Sequence, residues 1–212
     1  MKKTYSNITV IGGGLIGAAT ALSLSSLGFR ITLIEKNPEY NSKKIHNDKR
    51  TVAISEGTKL FLTKLGIWKK LNSFSEPIKN IKIIDRSISN VLDFDNLRRK
   101  SNLGYIVKNK KILDVVYNHI EKQNNIEVIN DVLLKEIQYF GDNISAKTNK
   151  GIFVSDLIIA ADGKFGSSRN LLKTNFYKKK YNRKALVLNI SHSKNHNNTA
   201  YEFFYKNGPL AI

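Results

Sequence analysis

The 212-residue sequence contains no cysteine. That absence rules out disulfides, thiolate metal ligands and a cysteine nucleophile. No apolar run reaches about 18 residues, so no segment reads as a membrane-crossing helix. A secretory leader is not expected either. Met1-Lys2-Lys3-Thr4 is followed at once by a strand-like run, Ile8-Thr9-Val10-Ile11, which is too short for a signal core and ends in glycines. A cytoplasmic location is the expectation. Acidic residues are scarce, 17 against 35 lysines and arginines, for a net charge of +18. The lysines are scattered over the whole length beside abundant Asn and Ile, so the excess reads first as compositional drift. An anionic membrane surface or acidic partner is the next reading; nucleic acid comes last and is not expected. The densest patch, Phe176-Tyr177-Lys178-Lys179-Lys180-Tyr181, reads as a solvated loop. With 41% hydrophobic and 25% charged residues, a globular core can form.

What is present begins with strand, tight turn, helix and strand. Residues 7–11 form a continuous apolar strand of the kind buried on both faces. Residues 15–27 carry helical spacing and stop at Gly28. Residues 30–35 contain a second β run, Ile31-Thr32-Leu33-Ile34, and residues 37–49 a polar loop. A second helix is expected from Ser55, with Leu60, Phe61 and Leu65 on one face and Gly66 at its end. Residues 78–84 and 91–94 read as paired strands joined through Ser87-Ile88-Ser89-Asn90. A third helix over about 110–123 turns Leu113, Val116, Tyr117 and Ile120 inward. Short β runs follow at 127–129, 133–139, 143–148, 151–154, 157–160, 185–191 and 200–205. No internal repeat or low-complexity linker occurs. Gly208-Pro209-Leu210-Ala211-Ile212 reads as the entry to a further strand, so a continuation is expected.

The most specific signal is Gly12-Gly13-Gly14-Leu15-Ile16-Gly17, a G-x-G-x-x-G between a strand and a helix. Gly12 permits the sharp turn, Gly14 lets backbone approach a pyrophosphate, and Gly17 lets helix and strand pack closely. The helix N-terminus offers its unpaired N–H groups to the anion. Glu35 ends the second strand, where a carboxylate accepts hydrogen bonds from ribose hydroxyls and disfavours a 2′-phosphate. Together these features indicate an adenine dinucleotide.

A nicotinamide dehydrogenase would continue into further βαβ units. This chain runs instead through Arg50-Thr51-Val52-Ala53-Ile54-Ser55 and, much later, Ala160-Ala161-Asp162-Gly163 followed by Ser167, Ser168 and Arg169. The three segments resemble those of class A FAD-dependent monooxygenases. Gly57-Thr58, Leu65-Gly66-Ile67-Trp68, Pro77-Ile78 and Gly104-Tyr105-Ile106-Val107 extend the likeness to the ubiquinone-biosynthesis hydroxylases. Its most subfamily-specific part is Ala200-Tyr201-Glu202-Phe203-Phe204 with Gly208-Pro209-Leu210-Ala211.

The resemblance implies an α/β fold: a Rossmann-like FAD-binding domain, residues 1–78 and 99–178, with an incomplete mixed-β substrate domain, residues 79–98 and 179–212. It implies FAD as cofactor, NAD(P)H as co-substrate, and hydroxylation of a prenylated phenol with O₂. Gly12, Gly14, Leu15, Ile16 and Gly17 would line the FAD pyrophosphate, with Glu35 and Lys36 at the adenosine ribose. Arg50 would lie along the flavin, and Asp162-Gly163 would touch FAD and the path of the nicotinamide. Asp162 also reads as a cap at a strand-to-helix turn. The lipid-tailed substrate makes peripheral attachment at the inner membrane face, or to a ubiquinone-biosynthesis complex, the expected association.

The sequence departs from the family in three places. Leu113 stands where a flavin-contacting Gln or Arg is frequent, and Arg183 stands in the Gln position of Tyr-x-Gln-x-Ala. The third flavin motif, Gly-Asp-Ala-Ala-His, does not occur in the sequence. A non-catalytic FAD-binding fragment or half of a split enzyme is therefore an alternative, and a plain NAD-dependent dehydrogenase another. His192 and His196 lack a third ligand and sit in an Asn-rich loop, so a zinc site is not expected. Neither His46 nor His119 has an identifiable acidic or nucleophilic partner. Ser167 and Ser168 are not in a G-x-S-x-G setting.

Overall fold

A computed structural model describes residues 2–37, 48–86, 91–95 and 101–212. Most of the expected 37–49 loop, the 87–90 connection and His46 lie outside the described residues. In chain order the elements are β1 (Lys3–Ile11), α1 (Leu15–Ser26), β2 (Ile31–Ile34), β3 (Thr51–Ser55), α2 (Glu56–Lys64), α3 (Trp68–Leu71), β4 (Ser75–Ile78), β5 (Asn80–Asp85) and β6 (Val91–Asp95). They continue with β7 (Gly104–Lys108), α4 (Asn109–Ile120), β8 (Ile126–Ile129), β9 (Leu134–Phe140), β10 (Asn143–Thr148), β11 (Ile152–Ala160), α5 (Ser168–Leu171), β12 (Thr199–Tyr205) and β13 (Gly208–Ala211). The fold is the expected α/β class with parallel and antiparallel sheets.

The chain divides into two compact units, Met1–Asp48 with Ile112–Leu186, and Lys49–Lys111 with Val187–Ile212. These limits differ from the domain boundaries expected from sequence. Residues 49–78 and 104–108 supply the three strands β3, β7 and β4, which among the described residues pair only with one another.

The first unit holds a six-stranded sheet in the order β8-β2-β1-β11-β10-β9. Strands β8, β2, β1 and β11 run parallel, and β10 and β9 are added antiparallel. Every residue of β2 is buried, as the unbroken apolar run requires of a strand covered on both faces. Helix α1 packs its small residues Gly17, Ala18 and Ala21 inward, which brings its backbone close to the sheet. Asn125 then ties its far end down, donating to the carbonyls of Ser25 at 3.0 Å and Phe29 at 2.9 Å. A core of Ile11, Ile34, Val132, Ala146 and Phe153 lies under the carboxyl ends of β1 and β2. The runs 151–154 and 157–160, expected as separate strands, are one strand, β11, because β1 offers it a continuous parallel partner from Lys3 to Ile11.

The second unit holds the three-stranded β3-β7-β4 sheet and a four-stranded sheet in the order β13-β12-β5-β6. The expected helix after Ser55 forms as α2, with the Ser55 hydroxyl accepting from the Thr58 N–H at 3.2 Å. Its buried residue is Leu62 rather than Leu60 or Phe61, which are exposed. Ile78, expected to begin the strand paired with residues 91–94, belongs to β4 instead, and β5 takes that pairing from Asn80. The run 185–191 forms no strand. Strands are stabilised by ladder partners and packed faces, and Leu186, Val187, Leu188 and Ile190 are all exposed. The closing Gly208–Ala211 does form a strand, antiparallel to β12, with Pro209 tolerated because β13 is an edge.

Candidate cofactor-binding site

The carboxyl ends of β1, β2 and β11 are bound side by side in the first unit. The Gly12 N–H donates to the Ile34 carbonyl at 2.8 Å, and the Ala161 N–H to the Ile11 carbonyl at 2.8 Å. The crevice beyond such strand ends is where open α/β sheets bind ligands. Here it is a cleft of about 420 Å³ lined by Gly12, Glu35, Lys36 and Asp162, with Val132 to Leu134 and Phe165 as apolar walls.

The glycine loop has the geometry the motif requires. Gly12 lies at φ +101°, a conformation that L side chains rarely adopt, and a Cβ on it would come within 2.6 Å of the Ala161 carbonyl oxygen. A Cβ on Gly17 would overlap the Gly12 carbonyl, so helix and loop meet only because position 17 lacks a side chain. Gly14 caps α1 with no side-chain hydrogen bond, and the first turn of the helix contains no acidic residue. That 12-residue helix therefore presents a positive N-terminal end with no acidic residue in its own first turn. Leu15 and Ile16 form its first turn, Ile16 being exposed.

Glu35 is buried at the end of β2, and its carboxylate is organised by backbone. Its Oε2 accepts from the Gly13 N–H at 2.6 Å and its Oε1 from the Asn37 N–H at 2.9 Å. Each oxygen keeps a further lone pair for a hydroxyl donor. The other end of Gly13 is held as well, its carbonyl accepting from the Tyr117 hydroxyl at 2.9 Å. Helical spacing alone puts Tyr117 on the inner face of α4, as observed, but no local pattern encodes the reach of its hydroxyl to the glycine loop.

Asp162 is a cap, one of its two expected roles. Its Oδ2 accepts from the Ser168 N–H at 3.0 Å and its Oδ1 from the Ser168 hydroxyl at 2.5 Å, which fixes the start of α5. A Cβ on Gly166 would overlap that carboxylate. Gly163, at φ +75°, is exposed, and its carbonyl accepts from Arg169 Nη2 at 3.0 Å.

The structure thus brings Gly12, Gly14, Gly17, Glu35, Lys36 and Asp162 together within one unit. Arg50 belongs to the other unit. There it precedes β3, and its carbonyl accepts from the Asn109 N–H at 3.0 Å. Leu113 is buried in the α4 face, as its apolar side chain dictates. His192 and His196 have ring centroids 6.0 Å apart in an irregular segment. Among the described residues no group of three or more His, Cys, Asp or Glu converges as a metal site. Nor does any helix among them have the length and apolarity to cross a membrane.

The donor set fits the adenosine diphosphate half of FAD: an N-terminal helix end for the diphosphate, a carboxylate for the ribose and apolar walls for the adenine ring. Residues 5–207 match the family described as FAD binding domain, and the chain belongs to that family. FAD is accordingly its cofactor. The relatives that it is similar to include ubiquinone hydroxylases. It is 25% identical to ubiquinone hydroxylase UbiM of Neisseria meningitidis, over 98% of this chain and 47% of the relative. It is 24% identical to the mitochondrial ubiquinone biosynthesis monooxygenase COQ6 of Drosophila melanogaster, over 97% of this chain and 46% of the relative. The chain spans about half the length of the curated relatives it matches. The crystal structure of p-nitrophenol 4-monooxygenase PnpA from Pseudomonas putida superposes with a TM-score of 0.65. That match has 19% identity and covers 81% of this chain and 44% of that one, a likeness of fold.

Proposed function

We propose that the chain is the FAD-binding portion of a monooxygenase that hydroxylates a polyprenylated phenol in ubiquinone biosynthesis. NAD(P)H would supply two electrons, and O₂ would give one oxygen atom to the ring and the other to water. The observation that carries the reading is near-complete alignment with ubiquinone hydroxylases of a chain whose glycine loop and Glu35 form one organised site.

FAD supplies the redox chemistry and activates oxygen. The residues of this chain bind and orient. Gly12, Gly14, Leu15, Ile16 and Gly17 hold the diphosphate with backbone N–H groups. Glu35 accepts from the ribose hydroxyls beside Lys36. Asp162 and Gly163 border the cofactor just beyond the end of β11. Residues 79–98 and 179–212 belong to the substrate side, where the stacked rings of Tyr201 and Phe203, with centroids 5.8 Å apart, offer apolar surface to a prenylated ring. The basic surface draws the protein to anionic lipid, where such a substrate resides.

The test is to load the chain with FAD and supply NADH or NADPH, O₂ and a short-chain prenylphenol, following nicotinamide oxidation and the product mass. Gain of one oxygen atom by the phenol is the expected result. Nicotinamide binding by a chain that takes up no flavin would replace this reading with that of a dehydrogenase.

A further inference from the structure

We propose that Tyr117 is a positioning residue for the diphosphate of FAD, acting through Gly13 in concert with Glu35. The glycine motif requires glycine at positions 12, 14 and 17 but leaves position 13 open. Here position 13 is closed by the protein itself. A Cβ on Gly13 would collide with the Tyr117 hydroxyl and lie 3.2 Å from Glu35 Oε2. Glycine at 13 is therefore specified by two side chains of this chain, one arriving on α4 and one at the end of β2.

Those side chains grip the loop from both directions. Glu35 takes the Gly13 N–H at 2.6 Å, and Tyr117 donates to the Gly13 carbonyl at 2.9 Å. A peptide unit is planar and trans, so fixing the Gly13 carbonyl also fixes the Gly14 N–H, which points the opposite way. With the carbonyl turned to the buried hydroxyl, the Gly14 N–H is directed away from α4 at the start of α1. Tyr117 is 6% and Glu35 8% exposed, so both bonds are shielded from water. The other buried residues of α4, Ile112, Leu113, Val115, Val116 and Ile120, are apolar. A tyrosine among them requires an acceptor for its hydroxyl, and Gly13 provides it. Glycine is the residue with most backbone freedom to lose, and three in succession make a loose anion site unless the loop is tied down beforehand.

The inference rests on FAD as the ligand of this cleft, and its test uses binding and melting rather than turnover. The ligand-free chain is titrated calorimetrically with FAD, ADP and adenosine. Tyr117→Phe is expected to weaken FAD and ADP about fivefold, the loss of one net hydrogen bond, and to leave adenosine unchanged, because adenosine lacks the diphosphate. Glu35→Gln is expected to weaken all three. Equal affinities in wild type and Tyr117→Phe overturn the positioning role, as does an equal loss for adenosine, which would mark general loosening of the site. A wild type that binds neither FAD nor ADP contradicts the cofactor assignment itself. The second measurement is thermal unfolding of Gly13→Ala with and without Tyr117→Phe. The alanine is expected to lower Tm markedly in the wild type and less once the hydroxyl is removed; equal shifts in the two backgrounds overturn the contact on which the proposal stands.

Discussion

The two units use strands of similar apolarity in opposite ways. In the six-stranded sheet Val10 and Leu33 are fully buried, whereas in the four-stranded sheet Val91, Leu92 and Phe94 are 54%, 59% and 49% exposed. Parallel strands with helical crossovers bury both faces, and β-propensity alone does not. The candidate binding residues follow the same division. The glycine loop, Glu35, Tyr117 and Asp162 sit on the unit with the buried sheet; Gly13 is hydrogen-bonded to Glu35 and Tyr117, and Asp162 to Ser168, so their geometry is set before any ligand arrives.

Leu33→Ala, in the buried sheet, is the change expected to cost most, about 3 kcal/mol from lost burial and the cavity it leaves. A denaturant titration showing under about 1 kcal/mol would break the contrast between the units. Asp162→Ala comes next, at about 1 kcal/mol for the lost cap on α5. It is also expected to weaken FAD, and unchanged FAD affinity would leave Asp162 with its capping role alone.

The second unit has its own polar cluster. Lys59 donates to Glu56 Oε1 and to the Tyr105 hydroxyl, each at 2.8 Å. The hydrogen bond to Glu56, then that to Tyr105, holds its ammonium above the usual 10.5. A raised folded pKa gives stability that is fully present below pH 10.5 and is lost as pH rises through the folded value. Lys59→Met is expected to cost less than about 1 kcal/mol at neutral pH, because its pair with Glu56 is only partly shielded from water. It should also flatten the alkaline decline in Tm, and an unchanged decline would show that another group titrates there. Leu92→Ala should change stability by less than about 0.5 kcal/mol, because its side chain is already half in water.

How far the sequence could be read follows the same physics. Strand, glycine turn, helix and acid were legible because each is a local pattern with a local cause, and β1, α1 and β2 form where those patterns lie. The inward residues of α4 were legible from their spacing. The partner of the Tyr117 hydroxyl was not, since Gly13 is 104 residues away in the chain and no periodicity encodes that contact. The run 185–191 was read as a strand from its β-branched and aliphatic composition, and it failed because pairing, rather than composition, makes a strand. Leu62, the buried residue of α2, was missed because a helix with polar residues on most sides offers only a shallow apolar face.

The central claim is that residues of the first unit form a site already shaped for the adenosine diphosphate of FAD. The most direct test is to mix the purified chain with FAD, separate free flavin by gel filtration, and record the visible spectrum of the protein peak beside that of Gly17→Ala. The account predicts a yellow, monodisperse wild-type peak and a colourless variant, because the added methyl would overlap the Gly12 carbonyl. A folded wild-type chain that elutes without flavin, or a Gly17→Ala chain that retains it equally well, would contradict the claim.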